Sequence, residues 1–451
     1  MVYDLIVVGG GISGTMAAVA AARSGVTVLV IEAYGFLGGM LTAAGVGPMM
    51  TFHAGTKQVI QGTTGELIER LVAKGKSPGH LFDTTGYTYT VTPFDAEALK
   101  HELELMLLES GATLLYHTML AGVKASGGRI KTISVCNKGG LSDLEARCYI
   151  DATGDADLAA WAGVDCSKGR PADHVAQPMT MNLKLGNVDI AAVRSYIKEH
   201  LEEFPRLKGD ASIIDRAPRL SIGGFVRTLN AARERGEITF QREDLLFFET
   251  NRPGEVIVNT SRILQCDVTD PASLSRAEIE GRRQVRELEL FLKRRVPGFA
   301  AAELLYSGPA VGVRGSRQIH GLYTLTHDDL LSCRKFPDTI AHSGYPVDIH
   351  SPDGAGSNHL HLPWGKYYGI PYRCLVNATL DNLITVGRCL SATFEAQAAI
   401  RTTPTMGAVG QAGGAAAALA IRNGIAVTEV PAVSLRSLLR EQGAFLEDGV
   451  S

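Results

Sequence analysis

The chain has 451 residues, long for one compact core, so two lobes are expected. With 45% hydrophobic residues, 20% charged residues and a net charge of −3, it has a globular composition. That balance selects neither nucleic acid nor an anionic membrane as partner. Its seven cysteines are scattered, with no CxxC and no Cys/His cluster at metal spacing. The pattern argues against a disulfide framework and points to a reducing, cytoplasmic setting.

Residues 3–8 form a short apolar run ending at Gly9, the pattern of a strand buried on both faces. Residues 12–24 follow as a helix with Gly25 just past its end, and 26–31 as a second buried strand closed by Glu32. Helices are expected over 64–73 and 94–110, the second with Asp95 near its start and Gly111 after its end. Strands at 113–116, 122–125, 130–135 and 146–150, with Gly127-Gly128 as a hairpin turn, form a set laid against this first unit. From about residue 157 the character changes. A strand-like run at 255–259, a charged helix at 276–295 and a loop-rich stretch at 342–369, dense in His, Pro, Asp and Gly, make up a candidate substrate lobe. Residues 383–386 return to a buried strand, followed by a Gly/Ala helix through Arg422. Two charge-free stretches, 5–22 and 404–421, each run about 18 residues, the lower limit for a membrane span. Their Gly and Ala content reads instead as helices buried against a sheet, so membrane insertion is not expected.

Gly9-Gly10-Gly11-Ile12-Ser13-Gly14 lies between a strand and a helix, where a dinucleotide pyrophosphate needs it. Gly9 permits the tight turn, Gly11 lets the backbone approach the pyrophosphate, and Gly14 allows close helix–strand packing. Glu32 is placed to accept hydrogen bonds from a ribose diol. No arginine stands there to suggest a 2′-phosphate. These residues specify a dinucleotide and leave FAD and NAD both open.

A resemblance narrows the choice. Asp4-Leu5-Ile6-Val7-Val8-Gly9-Gly10-Gly11, with Ala21-Ala22-Arg23-Ser24-Gly25 behind it, resembles the N-terminus of two-dinucleotide-binding flavoproteins of the glutathione reductase and fumarate reductase kind. Gly38-Gly39 is similar to the glycine pair those proteins place near the flavin. Ile150-Asp151-Ala152-Thr153-Gly154-Asp155 resembles their second FAD signature, and Asn382-Leu383-Ile384-Thr385-Val386-Gly387-Arg388 the third. Gln177-Pro178-Met179-Thr180, Gly312-Val313-Arg314, Tyr345-Pro346-Val347-Asp348-Ile349-His350 and Ile370-Pro371-Tyr372-Arg373 look like the FAD-dependent oxidoreductase family. Many members carry Glu where this chain has Gly315. The resemblance implies an α/β protein with FAD as cofactor. Its Rossmann-type FAD-binding domain, a parallel sheet with helices on both faces, would be formed by 1–156 and 375–425. An α+β substrate lobe at 157–374 and a C-terminal tail at 426–451 complete it. It also implies that Gly9, Gly11, Ile12, Ser13, Gly14, Glu32, Ala33, Gly38, Gly39, Met40, Leu120, Ala152, Thr153, Gly154, Gly387, Arg388, Met406 and Gly407 contact the cofactor.

Thr403 is a good N-cap and Pro404 a good first-turn residue for the closing helix, whose positive end the family would aim at the flavin. Such a terminus contributes roughly 0.3–1 kcal/mol toward a negative charge. No second strand–GxGxxG–helix unit and no CxxC are present, so electrons pass through a substrate, oxygen, a separate carrier or a visiting nicotinamide. The expected reaction is hydride exchange between flavin N5 and a small polar molecule, with dehydrogenation of CH–OH or CH–NH favoured. The alternatives are reduction of an activated C=C bond and a role as flavoprotein subunit of an electron-transfer complex. Proton handling falls to a histidine among His342, His350, His359 and His361, with His350 chosen as catalytic. Arg314, Arg317, Arg373 and Arg401 are the cations suited to a substrate carboxylate or hydroxyl, and Tyr372 is added to the catalytic set. His359-x-His361 lacks a third ligand, so no metal is expected. His53 is a minor candidate near the flavin edge. Homo-oligomerisation is left open.

Overall fold

The computed structural model describes residues 3–447. Its first layer is an all-parallel sheet in the order Leu383–Thr385, Ala146–Asp151, Tyr3–Val8, Val28–Ile31, Thr113–Leu115. Successive side chains point to opposite faces, and the opening strand divides accordingly: Leu5 and Val7 enter one core, Ile6 and Val8 another. Helices Ile12–Arg23 and Thr403–Asn423 cover the first face. The opposite face is covered mainly by an antiparallel sheet of Met119–Ser126, Arg129–Asn137 and Gly140–Leu144, with the short helix Asp157–Trp161 beside it.

The two charge-free stretches have a packing explanation. A Cβ on Gly410 would lie 2.1 Å from the Ser13 carbonyl oxygen, and one on Gly414 2.0 Å from that of Ala17. The two helices therefore cross with backbone against backbone, which only glycine at those positions permits. Among the described residues no helix is long and apolar enough to cross a membrane.

A second core holds Met179–Val313. It is built on a five-stranded antiparallel sheet and the helix Pro271–Arg295, which Asp270 caps by accepting from the Ala272 and Ser273 amides. Residues 325–374, assigned by sequence to the substrate lobe, bury Leu325, Phe336, Tyr368 and Tyr372 in the first core. The stretch read as loop-rich contains strands Thr339–Ser343, Val347–His350, Ser357–Leu360 and Tyr368–Pro371, in two antiparallel pairs. Its polar residues and prolines hid that alternation. The closing helix takes Thr402 as N-cap, one residue earlier than expected, and the Thr402 hydroxyl bonds the Thr405 hydroxyl rather than a backbone amide. The C-terminal tail after 425 carries helix Ala432–Glu441, which buries Leu435 and Leu439 against the first core. Residues 448–451 lie outside the described part.

Candidate active site

A single cavity of about 850 Å³ runs between the parallel sheet and the second lobe. At one end stands the N-terminus of helix Ile12–Arg23. Gly11 is its N-cap and offers no side-chain cap, so the first-turn amides face the cavity unpaired. Gly11 pairs with Gly38, and a Cβ on Gly39 would sit 3.0 Å from the Gly11 Cα. That wall is bare backbone. The second uncapped helix N-terminus, at Thr402 and Thr403, also lines the cavity.

The Glu32 carboxylate accepts from the Gly10 amide at 2.7 Å and the Tyr34 amide at 2.8 Å, and burial raises its pKa. Each oxygen keeps a lone pair for a ribose hydroxyl. Asp155 accepts from Arg388 at 2.7 Å and from Ser316, while Arg317 donates to Asp157 at 2.8 Å. Two distant segments of chain are thereby locked together beside the cavity. Arg388 Nε is buried with no protein partner, an orphaned donor that suits a phosphate.

All the positions expected to touch the dinucleotide line this cavity except Gly14 and Gly407. Those two are packing positions. A Cβ on Gly14 would meet the Gly9 carbonyl at 1.9 Å, and one on Gly407 would meet Thr64 Oγ1 at 2.4 Å.

Beyond the second helix terminus the cavity is lined by Tyr87, Arg206, Arg242, Arg314, Tyr345, Asp348, His350, His359 and Arg401. Strands Val347–His350 and Ser357–Leu360 build its centre. Asp348 and His350 are two apart and share a face, and the register sets His359 directly opposite Asp348. Asp348 is buried, with His350 Nε2 at 3.3 Å, His359 Nδ1 at 3.1 Å and Arg401 at 3.9 Å. Burial works to raise the Asp348 pKa, but these cations and donors prevail and hold it well below the usual carboxylate range. Burial holds His350 well below its ordinary value despite Asp348. Both of its ring nitrogens are engaged, Nε2 with Asp348 and Nδ1 with Ser357 Oγ at 3.0 Å. His359 differs. Its Nδ1 meets Asp348 and the Tyr87 hydroxyl at 3.2 Å, while Nε2 is buried without a partner. The approach to Asp348 Oδ1 is a close polar contact, not an aligned hydrogen bond.

Several expected residues lie elsewhere. Tyr372 is core, its hydroxyl donating to the Val427 carbonyl at 2.7 Å. Arg373 is partly exposed and paired with Asp338 at 2.9 Å. Neither lines the cavity, because the turn after Tyr368–Pro371 points them away from it. His342 and His361 are also off its wall, and His53 bonds Thr90 and lies edge-on to His80. No group of three metal-ligating side chains occurs among the described residues. At Gly315 a Cβ would come 2.8 Å from Gln397 Nε2, which donates to the Arg314 carbonyl. The amide of Gln397 occupies the space a larger residue would need. Asp348, Tyr87, Arg206 and Arg242 were not singled out from sequence, and only Asp348 carried a signal, its spacing from His350.

A family model described as FAD dependent oxidoreductase matches residues 4–439. The chain belongs to the FAD-dependent oxidoreductase family. It is a flavoenzyme whose cofactor is FAD. No curated protein matches it. Similar solved structures include a geranylgeranyl bacteriochlorophyll reductase-like protein from Thermoplasma acidophilum, 14% identical, with a TM-score of 0.47 over 98% of this chain and 82% of that one. The p-nitrophenol 4-monooxygenase of Pseudomonas putida DLL-E4 is 11% identical, with a TM-score of 0.47 over 98% and 87% of the respective chains. A flavin-dependent brominase is 12% identical, with a TM-score of 0.43 over 98% and 83%.

The cavity fits FAD by its own features. Bare glycine backbone, two uncapped helix termini and an orphaned guanidinium nitrogen form an anion-accepting, flat-walled slot.

Proposed function

We propose that this flavoenzyme dehydrogenates a small polar molecule at a CH–OH or CH–NH carbon, with His359 as the proton acceptor. The supporting observation is the Asp348–His359 pair on the cavity wall, with Nε2 buried and unpartnered. FAD, when bound, would supply the two-electron oxidising chemistry at that carbon. His359 Nε2 takes the accompanying O–H or N–H proton. Asp348, kept anionic, favours the tautomer with the proton on Nδ1 and stabilises the imidazolium that forms. His350, neutral and bonded on both sides, holds Asp348 in place. Tyr345, buried and with its phenol raised in pKa chiefly by burial, stays protonated and donates to Asp348 at 3.3 Å, while the Tyr87 hydroxyl, also raised chiefly by burial, meets His359 Nδ1.

A second reading, reduction of an activated C=C bond in which one carbon would receive hydride from reduced flavin and the other the proton of His359, uses the same residues and is favoured if the substrate is an anionic alkene, given the arginines on the wall. Because all seven cysteines are unpaired, we place the protein in the cytoplasm. The test is anaerobic loss of the visible flavin band on adding sugars, hydroxy acids or amino acids to the holoenzyme. Bleaching by one class supports dehydrogenation, and admitting air separates oxygen from a carrier as electron acceptor. If only dithionite or NADH bleaches the protein and an unsaturated acid restores the colour, the dehydrogenase reading is wrong and the reductase reading replaces it.

A further inference from the structure

The compartment beyond the flavin carries more buried positive charge than its own residues neutralise. Four arginines line it, Arg206, Arg242, Arg314 and Arg401, against two carboxylates, Asp244 and Asp348; Asp244 lies just behind the wall, paired with Arg206. The pairing is uneven. Arg206 donates to Asp244 at 2.7 Å, and Arg401 approaches Asp348 at 3.9 Å. Arg242 stands 3.9 Å from the already engaged Asp244, and its Nε has no hydrogen-bond partner although the residue is only 4% exposed. Arg314, 9% exposed, meets only neutral groups, the Pro178 carbonyl and the Thr180 hydroxyl at 2.7 Å.

Two guanidinium groups are thus buried on the wall without a carboxylate of their own. Removing an unpaired ion from water is expensive, and a buried charge persists when a partner is supplied. Arginine remains charged in proteins and presents a fork that matches a carboxylate bidentately. Arg262 stands behind this wall. It donates to the Ser351 and Gly356 carbonyls and so secures the hairpin that carries Asp348 and His359. Its charge adds to the field: burial first, then Arg401 and Arg242, depress the Arg314 pKa, and Arg262 contributes in the same direction.

We infer that the substrate is a small dicarboxylate, one carboxylate held by Arg314 and the other by Arg242, with the reacting carbon between them facing His359. The inference rests on the proposed dehydrogenase site for its reacting carbon, but the binding it asserts can be measured without any turnover. A phosphate ester would satisfy the same charge with one group; the two free arginines come from different segments, Arg242 between helix Val226–Glu234 and strand Leu245–Glu249 and Arg314 between strands Glu303–Ser307 and Arg317–Ile319, which favours two groups.

The experiment titrates oxidised holoenzyme with malonate, succinate and glutarate, their monomethyl esters, matched monocarboxylates and inorganic phosphate, following perturbation of the visible flavin band and calorimetric heat. None of these saturated acids carries a CH–OH or CH–NH group. One diacid length is expected to bind about 30-fold or more tightly than its half-ester, the loss expected when one buried charge partner is removed. Arg242→Gln is expected to abolish that preference, the diacid then binding no more tightly than its half-ester. Equal binding of diacid and half-ester by the unaltered protein would overturn the inference, whether or not the variant folds. So would inorganic phosphate binding as tightly as the best diacid. If diacids show the preference yet no hydroxy or amino diacid bleaches the flavin anaerobically, the substrate class stands and the dehydrogenase reading fails. If a neutral alcohol bleaches it and diacids do not bind, the reverse holds.

Discussion

Replacing His342 by Phe should change how stability depends on pH, and the structure fixes the size of the effect. His342 is 1% exposed, lies edge-on to Tyr367, and has no well-formed hydrogen bond at either ring nitrogen. Burial first, and then Lys335, push its pKa down to about 3 from 6.5, with Glu447 pulling the other way without prevailing. Its folded value lies below its unfolded value, so the unfolded chain binds the proton more readily. Stability from this site is therefore intact above pH 6.5 and is lost progressively as the pH falls from 6.5 toward about 3. One pKa unit is 1.36 kcal/mol, so falling about one and a half units below 6.5 removes roughly 2 kcal/mol. Phe keeps the ring and its contacts with Tyr367 and Phe445 and cannot take the proton. Urea unfolding at pH 7.5 and at pH 5.0 should show the variant close to the parent at the higher pH. At the lower pH it should be relatively more stable by roughly 2 kcal/mol. An equal difference between the two proteins at both pH values would refute the assignment of His342 as a buried neutral side chain.

Three other substitutions probe different parts of the fold. Asp348→Asn leaves Arg401 and its neighbours without a counter-charge and should lower stability by about 3–5 kcal/mol in urea unfolding, with a saturated diacid recovering part of the loss. Gly410→Val forces a side chain into the Ser13 carbonyl and should destabilise the holoenzyme by about 1–3 kcal/mol or more, seen as early release of flavin fluorescence on heating. Tyr372→Phe removes the hydroxyl that satisfies the Val427 carbonyl, so it should cost about 1–3 kcal/mol of stability and leave the reduction rate unchanged.

The first 40 residues were legible because the physics there is local. Strand, glycine turn, helix and terminal acid each have a sequence signature, and Gly9, Gly11, Ile12, Ser13 and Glu32 line the cavity while Gly14 packs behind it. The closing helix was legible for the same reason, to within one residue at its cap. The half of the cavity that holds Asp348 and His359 was not, because its geometry is made by pairing across a hairpin. Read as a loop, residues 342–369 offered a pool of histidines with no means of ranking them. Read as strands, Val347–His350 sets Asp348 and His350 on one face, and the register then brings His359 to Asp348. Tyr372 and Arg373 lie off the cavity for a related reason: a motif match gives proximity in sequence, while the turn there directs both side chains away from it. Arg206 and Arg242 come from the second lobe, and nothing local marks two arginines among 44 basic residues as buried.

The most direct test of the account is the anaerobic rate of flavin reduction in His359→Gln, using the donor that bleaches the parent enzyme. With FAD still bound, the rate is expected to fall by about 10²–10⁴-fold, the usual contribution of a positioned base, while His350→Gln lowers it much less. A His359→Gln rate equal to that of the parent, at full flavin content, would contradict the account.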